Sequence, residues 1–189
     1  MILMLAGLVL FLVTHVFTTR REARAAAVAQ LGMIPYRAVY SIVSIAAVLM
    51  IAYGYGDWRA AGPAQLWNPP VAMRHIALTL MLLASIALGG YLVPSHIRAW
   101  LKHPMLVAVK IWALSHLIAN GDAATMTLAV VILGWAVFDR ISVKRRGLPL
   151  PVAPKGWGGD LVAVLVGLVL YAVLAFWFHP YIVGVPVMG

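Results

Sequence analysis

Four stretches without a charged residue limit what this chain can fold into. They cover residues 1–19, 38–56, 75–97 and 161–189. An α-helix rises about 1.5 Å per residue, so roughly 20 apolar residues cross the ~30 Å core of a bilayer. The chain is also 64% hydrophobic and only 10% charged, unlike soluble domains. We therefore predict an all-α integral membrane protein, with residues 1–189 forming one transmembrane domain.

Two shorter apolar stretches, 105–119 and 123–138, lie in the middle of the chain. Asn120-Gly121-Asp122 separates them and is typical of a tight turn, with Asp122 as the N-cap of the second helix. We predict that they form a short helical hairpin, the fourth and fifth of about six transmembrane helices. Each arm reaches only about 22–24 Å, so the hairpin either crosses a thinned bilayer or enters it and returns.

The basic residues indicate an orientation. With six helices, 12 of the 14 Lys and Arg residues fall on one side, and only Arg59 and Arg74 fall on the other. Positive residues favour the cytoplasmic side, so we predict a cytoplasmic 140–155 loop and periplasmic termini. The basic residues are scattered over loops next to the membrane, which favours contact with anionic lipid over nucleic-acid binding.

The cytoplasmic loops have local signals of their own. Thr19 and Glu22 have the spacing of a capping box, which predicts an interfacial helix over 20–31, ended by Gly32 and Pro35. The segment 141–159 is rich in proline and glycine and predicts an irregular connection.

Histidine is the residue type most suggestive of chemistry. His15 and His116 lie deep in apolar stretches, where an ionisable group is costly and suggests function, or else a hydrogen bond between helices. The other four are predicted at helix ends, where an interfacial or capping role suffices: His75, His96, His103 and His179. The chain has no cysteine and no closely spaced histidine pair, which disfavours zinc. Haem needs only one or two axial nitrogens from separate helices and an apolar cavity.

Three further polar residues lie in or beside the hairpin. Lys110 can share a helix face with His103, or can extend its side chain to the cytoplasmic interface. Asp139 and Arg140 close the predicted second arm, either as a local ion pair or by holding the hairpin to the arginine-rich loop. No P-loop, dinucleotide fingerprint or nucleophile elbow is present in the sequence.

A family resemblance rests on a central block. KHPMLVAVKIWALSHLIANGD (102–122) followed by GWAVFDRISVKRR (134–146) resembles the hallmark of the NnrU family of bacterial membrane proteins. Weaker matches are YRAVYSIVS at 36–44, LWNPP at 66–70 and HPYIVGVP at 179–186. The resemblance implies a bacterial inner-membrane protein linked to denitrification, around nitric oxide and nitrite reduction.

The chain is also similar to the plastid 15-cis-zeta-carotene isomerases, membrane enzymes whose haem b iron takes histidine ligands. That likeness implies haem b here, with His15 and one of His103 and His116 as iron ligands, and an isomerase-like reaction on an apolar substrate. The depth of the residues in six helices favours His15 with His103, leaving His116 beside the site. Asn120 and Asp122 would shape the turn. The cysteine ligand of the isomerases has no counterpart in this chain.

Two other functions remain open. One is a non-enzymatic membrane factor that assembles or regulates nitric oxide reductase. The other, less favoured, is methyl transfer, because Lys102-His103-Pro104 loosely resembles a basic-His-Pro motif of isoprenylcysteine methyltransferases. The acidic cofactor pattern of that family is not visible, and Asp139-Arg140 stands in its place.

Overall fold

The computed structural model describes residues 1–147 and 149–187, and the last two residues of the predicted segment 161–189 lie outside that range. The described chain is helical and contains no strand beyond an isolated Gln65–Asp122 bridge. In chain order the helices are α1 (Ile2–Thr19), α2 (Arg21–Leu31), α3 (Met33–Ala60), α4 (Val71–Leu92), α5 (His96–Leu101), α6 (Pro104–Ala119), α7 (Ala123–Arg145) and α8 (Gly158–Val173), continued by a π-helix (Leu174–Val183).

Five of these helices are long and apolar enough to cross a membrane. They are α1, α3, α4, α7 and α8 with its π-helical continuation, and α6 is a shorter apolar helix. α1 illustrates the arrangement, because Met4 and Leu8 are buried whereas Val9 and Val13 are exposed. Apolar side chains that face outward need lipid around them. The prediction of an all-α membrane protein with about six transmembrane helices is confirmed.

Neighbouring helices pack in the order α3, α1, α7, α6, α4, α8. α1 and α3 are antiparallel, since Gly54 lies against Met4 and Gly7 lies against Ile51. α4 and α8 are antiparallel as well, with Gly89 against Ala163. α7 therefore joins the α1–α3 pair to the α4–α6–α8 group.

Small residues allow these close approaches. A Cβ atom at Gly89 would collide with the carbonyl oxygen of Ala163, and one at Gly167 would lie 2.6 Å from the Ile86 Cα. In lipid there is little hydrophobic force between helices, so close packing through glycine and alanine carries much of the association. Ala84 and Ala87 of α4 and Ala163 of α8 are buried as well.

The second hairpin arm is longer than predicted. α7 runs through Asp139 and Arg140 to Arg145, so it has 23 residues and is not a short arm. Charged residues did not end the helix because the last turns of a membrane helix reach the polar interface, where long basic side chains extend to water. The irregular connection between α7 and α8 is correspondingly shorter than the predicted 141–159.

The predicted capping box at α2 was wrong. Arg20 is the N-cap without a side-chain bond, and the Thr19 hydroxyl instead donates to the Val16 carbonyl at 2.7 Å. A threonine on the last turn of α1 has a free carbonyl within reach, and that local bond competes with capping. Gly32 does end α2, with φ +83°, but Pro35 lies in the first turn of α3, where its missing N–H costs nothing.

The glycine contacts give a matched test. We expect Gly89→Ala to lower the free energy of unfolding by about 1–3 kcal/mol, because the added methyl meets backbone that cannot move aside. Gly134→Ala on α7 is the control, since a Cβ there has nothing within 4 Å. It should leave stability unchanged or raise it by up to about 1 kcal/mol. Thermal unfolding in detergent measures both, and equal melting temperatures for the two variants would contradict the packing argument.

Candidate functional site

The two ends of the bundle differ in charge. Every basic residue except Arg59 and Arg74 lies at the end that carries α2, α5 and the α7–α8 connection, or in the helix turns next to it. We call this the basic end, and the other the opposite end. The predicted site residues divide between them, with His15, His103, Lys110, Asp139 and Arg140 toward the basic end and His116, Asn120 and Asp122 at the opposite end.

The hairpin turn at the opposite end is built as predicted. Asp122 is the N-cap of α7, and its Oδ1 accepts a hydrogen bond from the Thr125 backbone N–H at 2.9 Å. The loop between α3 and α4 holds the turn from outside. The Leu66 N–H donates to the Gly121 carbonyl at 2.7 Å, and the Trp67 Nε1–H donates to the Asn120 carbonyl at 3.0 Å. The LWNPP segment is therefore a support for this turn.

A chain of side-chain hydrogen bonds extends from the same cap. The Thr125 hydroxyl donates to Asp122 Oδ2 at 2.7 Å, so the Tyr55 hydroxyl must donate to Thr125 at 2.9 Å. Arg59 in turn donates to the Tyr55 oxygen at 3.3 Å. The cap thus links α7 to α3. Sequence reasoning missed Tyr55 and Arg59, because nothing in the local pattern shows that α3 passes beside this turn.

His116 lies one turn before Asn120 on α6. Its Nδ1 lies 2.8 Å from the Trp112 carbonyl, to which it must donate, so Nε2 carries the free lone pair. The Trp112 ring lies against the imidazole, with the ring centroids 4.5 Å apart. The ring of His179 lies at a centroid distance of 6.2 Å from the His116 ring, with 26° between the two ring planes.

His179 is the site residue that sequence reasoning placed wrongly. It lies inside the π-helix that continues α8 and not at a helix end. Its Nδ1 donates to the Leu174 carbonyl at 2.8 Å, a bond that spans five residues in keeping with the wider π-helical turn. Pro180 follows directly and was the available signal, since proline disrupts an α-helical ladder. In both His116 and His179, Nδ1 is bonded to a carbonyl of the same helix, which leaves Nε2 as the nitrogen without a partner on that helix.

His15 lies in a separate aromatic cluster. Its Nδ1 donates to the Phe11 carbonyl at 2.8 Å, so Nε2 again carries the lone pair. Its ring stacks on Phe11 at 3.9 Å, meets Trp135 of α7 edge-on at 5.2 Å, and lies 5.8 Å from the Tyr40 ring. The Nε1–H of Trp135 is buried and has no partner among the described residues.

His103 and its neighbours occupy the junction of α5 and α6. Burial is the main cause that lowers the pKa of His103, and the nearby Arg140 guanidinium lowers it further. The neutral imidazole is therefore favoured near pH 7. Lys102 and Lys110 add positive charge around it, and one Arg140 nitrogen, Nη1, is buried without a partner among the described residues.

Asp139 does not pair with its neighbour Arg140. Its carboxylate lies 3.5 Å from the guanidinium of Arg146, the C-cap residue of the same helix, and the predicted tie to the arginine-rich loop stays a prediction. Asp139 also acts electrostatically on His103. Elsewhere at the basic end, His96 Nδ1 lies 2.7 Å from the Asp160 carboxylate, which joins α5 to α8. Ser95 is the N-cap of α5, so His96 links two helices and does not act as a cap.

Four of the six histidines therefore lie in two groups that the structure keeps apart. His116 and His179 face one another at the opposite end, whereas His15 and His103 lie toward the basic end, beside α7. Within the described ranges, no three His, Asp or Glu side chains come together as a metal-ligand set. A group that needs one or two nitrogen ligands still suits either end.

These features define a multi-pass α-helical membrane protein whose polar residues gather at two levels of an apolar bundle. The chain belongs to the NnrU family. The family model described as NnrU protein matches residues 3–187, nearly its whole length. Neither a curated protein nor a solved structure gives a significant match. The predicted family is confirmed, and the likeness to the carotene isomerases stays a prediction.

The cap of α7 can be tested directly. We expect Asp122→Ala to lower the free energy of unfolding by about 0.5–2 kcal/mol, because the Thr125 N–H loses its acceptor. Asp122→Asn is the matched control, since its amide oxygen can still accept that bond and asparagine is an equally good N-cap. Thermal unfolding in detergent compares the two. An alanine variant as stable as the asparagine variant would show that the cap contributes nothing.

Proposed function

We propose that the protein is a histidine-ligated haem b protein of the bacterial inner membrane that serves nitric oxide and nitrite reduction. The observation that carries the proposal is the His116–His179 pair, two imidazoles whose centroids lie 6.2 Å apart. Membership of the NnrU family supports the link to denitrification.

The chemistry of the donors fits a haem iron. Imidazoles that bind a metal through one nitrogen usually donate the other N–H to a carbonyl or carboxylate, which fixes tautomer and orientation. His116 and His179 both have this arrangement through their Nδ1 atoms. His116 and His179 would therefore be the residues that hold the group, each through its Nε2 atom.

The surroundings of the pair support the same function. Trp112 lies beside His116, Phe178 lies beside His179, and the helices around them are apolar. An apolar, aromatic shell excludes water from a haem and helps to set its potential. When bound, haem would supply an iron able to exchange electrons and bind a small ligand such as nitric oxide. The chain's own part is to hold the two Nε2 atoms, orient the rings and keep water away.

The pair proposed here differs from the pair favoured on sequence grounds. His15 also presents a free Nε2 in an aromatic cluster, and His15 with His103 remains the second candidate pair. No ring contact between His15 and His103 supports that pair, whereas the rings of His116 and His179 lie next to each other. The spectra of single variants separate the two arrangements.

We expect the purified wild type, expressed with ample haem, to show a Soret band. His116→Ala and His179→Ala should each weaken or abolish the band, whereas His15→Ala and His103→Ala should retain it. His75→Ala is the matched control, since that side chain is exposed at the start of α4. Imidazole added to the deficient variants should restore the band if the fold is intact.

Two outcomes would overturn this assignment. Loss of the band in His15→Ala and His103→Ala alone would move the haem to the basic end. A wild type with no Soret band under haem supply would leave the other function, a non-enzymatic factor that assembles or regulates nitric oxide reductase. Co-purification with the reductase subunits would then be the measurement to make.

We also propose that the basic end faces the cytoplasm and that both termini are periplasmic. The 12-to-2 division of basic residues supports this orientation. An alkaline phosphatase fusion at Gly147, after α7, should be inactive, and a fusion at Gly62, after α3, should be active. The reverse pattern would invert the orientation, and equal activity at both sites would mean that α6 does not cross.

A further inference from the structure

An apolar groove lies at the basic end where α2 crosses α1 and α3. It has a volume of about 310 Å³, at the lower end of the range for small-molecule sites. Its walls include Val13 and Phe17 of α1, Ala27 and Leu31 of α2, and Tyr36 and Val39 of α3. We call it the α1–α3 groove. Tyr40, which also lines the groove, lies 5.8 Å from the His15 ring, so the groove adjoins the His15 cluster and is remote from the His116–His179 pair.

One polar atom in this groove lacks a partner. Tyr36 lines the groove and is only 8% exposed, and its hydroxyl is buried with no hydrogen-bond partner among the described residues. A buried hydroxyl without a partner is destabilising, and such groups in native proteins usually have an acceptor supplied from elsewhere. The groove therefore suits an occupant that is mostly apolar and offers one oxygen to the Tyr36 hydroxyl.

Positive charge lies beside the same tyrosine. The Arg24 guanidinium lies over the Tyr36 ring, 5.6 Å from its centroid, and is exposed. Arg20, the N-cap of α2, is exposed as well. Arg21 is already engaged, because it donates to the Arg146 carbonyl at 3.0 Å and so fixes α2 against the end of α7. The only acidic residue on α2 is Glu22.

We propose that the α1–α3 groove binds an anionic phospholipid. One acyl chain lies along the apolar walls, the Tyr36 hydroxyl donates to an ester oxygen, and the phosphate lies against Arg24. The groove combines an apolar wall, one hydrogen-bond donor and one cation. These three features match the acyl chain, the ester and the phosphate of a phospholipid. A hydrocarbon without oxygen would leave Tyr36 unpaired, and a free phosphate would not fill an apolar groove.

Native mass spectrometry of the full-length protein tests the proposal. The detergent-purified protein is mixed with equimolar phosphatidylglycerol and phosphatidylcholine of identical acyl chains. We expect phosphatidylglycerol to be retained preferentially. Arg24→Gln and Tyr36→Phe should each lower its bound fraction about fivefold, the loss of one charge contact or one hydrogen bond. Ala27→Phe, which fills the groove, should abolish retention of both lipids.

Lys155→Gln is the matched control. It removes one exposed basic residue from the same end but outside the groove, and should retain phosphatidylglycerol as the wild type does. Gel filtration and tryptophan fluorescence check the fold, and Tyr36→Phe keeps the test decisive if Ala27→Phe misfolds. Equal retention of the two lipids, an equal loss in Lys155→Gln, or displacement of the lipid by inorganic phosphate would overturn the proposal.

Discussion

The bilayer supplies no water to backbone N–H and C=O groups, and the rest of this structure depends on that constraint. Helices satisfy those groups within one segment, which is why long apolar stretches become helices whatever their local propensities. The side chains obey the same rule. The hydroxyls of Thr14 and Ser115 and the Nδ1 atoms of His15 and His116 all bond to carbonyls one turn earlier on their own helices. For a histidine, that bond also decides which nitrogen stays free for chemistry.

Most of the fold could be predicted from the sequence, because uncharged length and turn residues are local signals. The hairpin turn was predicted correctly, since Asn120-Gly121-Asp122 is short and Asp122 can cap only the helix that follows it. The end of α7 was placed too early because charge was taken as a stop signal. At a membrane interface charge marks depth and does not end a helix.

The site could be predicted only in part, for a physical reason. His116 stood out because an ionisable residue in an apolar stretch is costly, but its neighbour depends on which helices touch. The contact with His179 arises from the packing of the chain after α8, through a π-helix that no periodicity in the sequence indicates. Likewise, LWNPP supports the turn through the bond from Trp67 to Asn120, a contact between segments far apart in the sequence.

The two histidines that face each other are held in different ways. His116 is fixed, because both the backbone N–H and the side-chain amide of Asn120 bond to its carbonyl, and Trp67 in turn holds Asn120. His179 lies on a π-helix, whose wide turn and neighbouring proline leave a weaker hydrogen-bond ladder. The two imidazoles are therefore anchored through different backbones: His116 through a regular α-helix braced by the α3–α4 loop, and His179 through a π-helical turn that contains a proline.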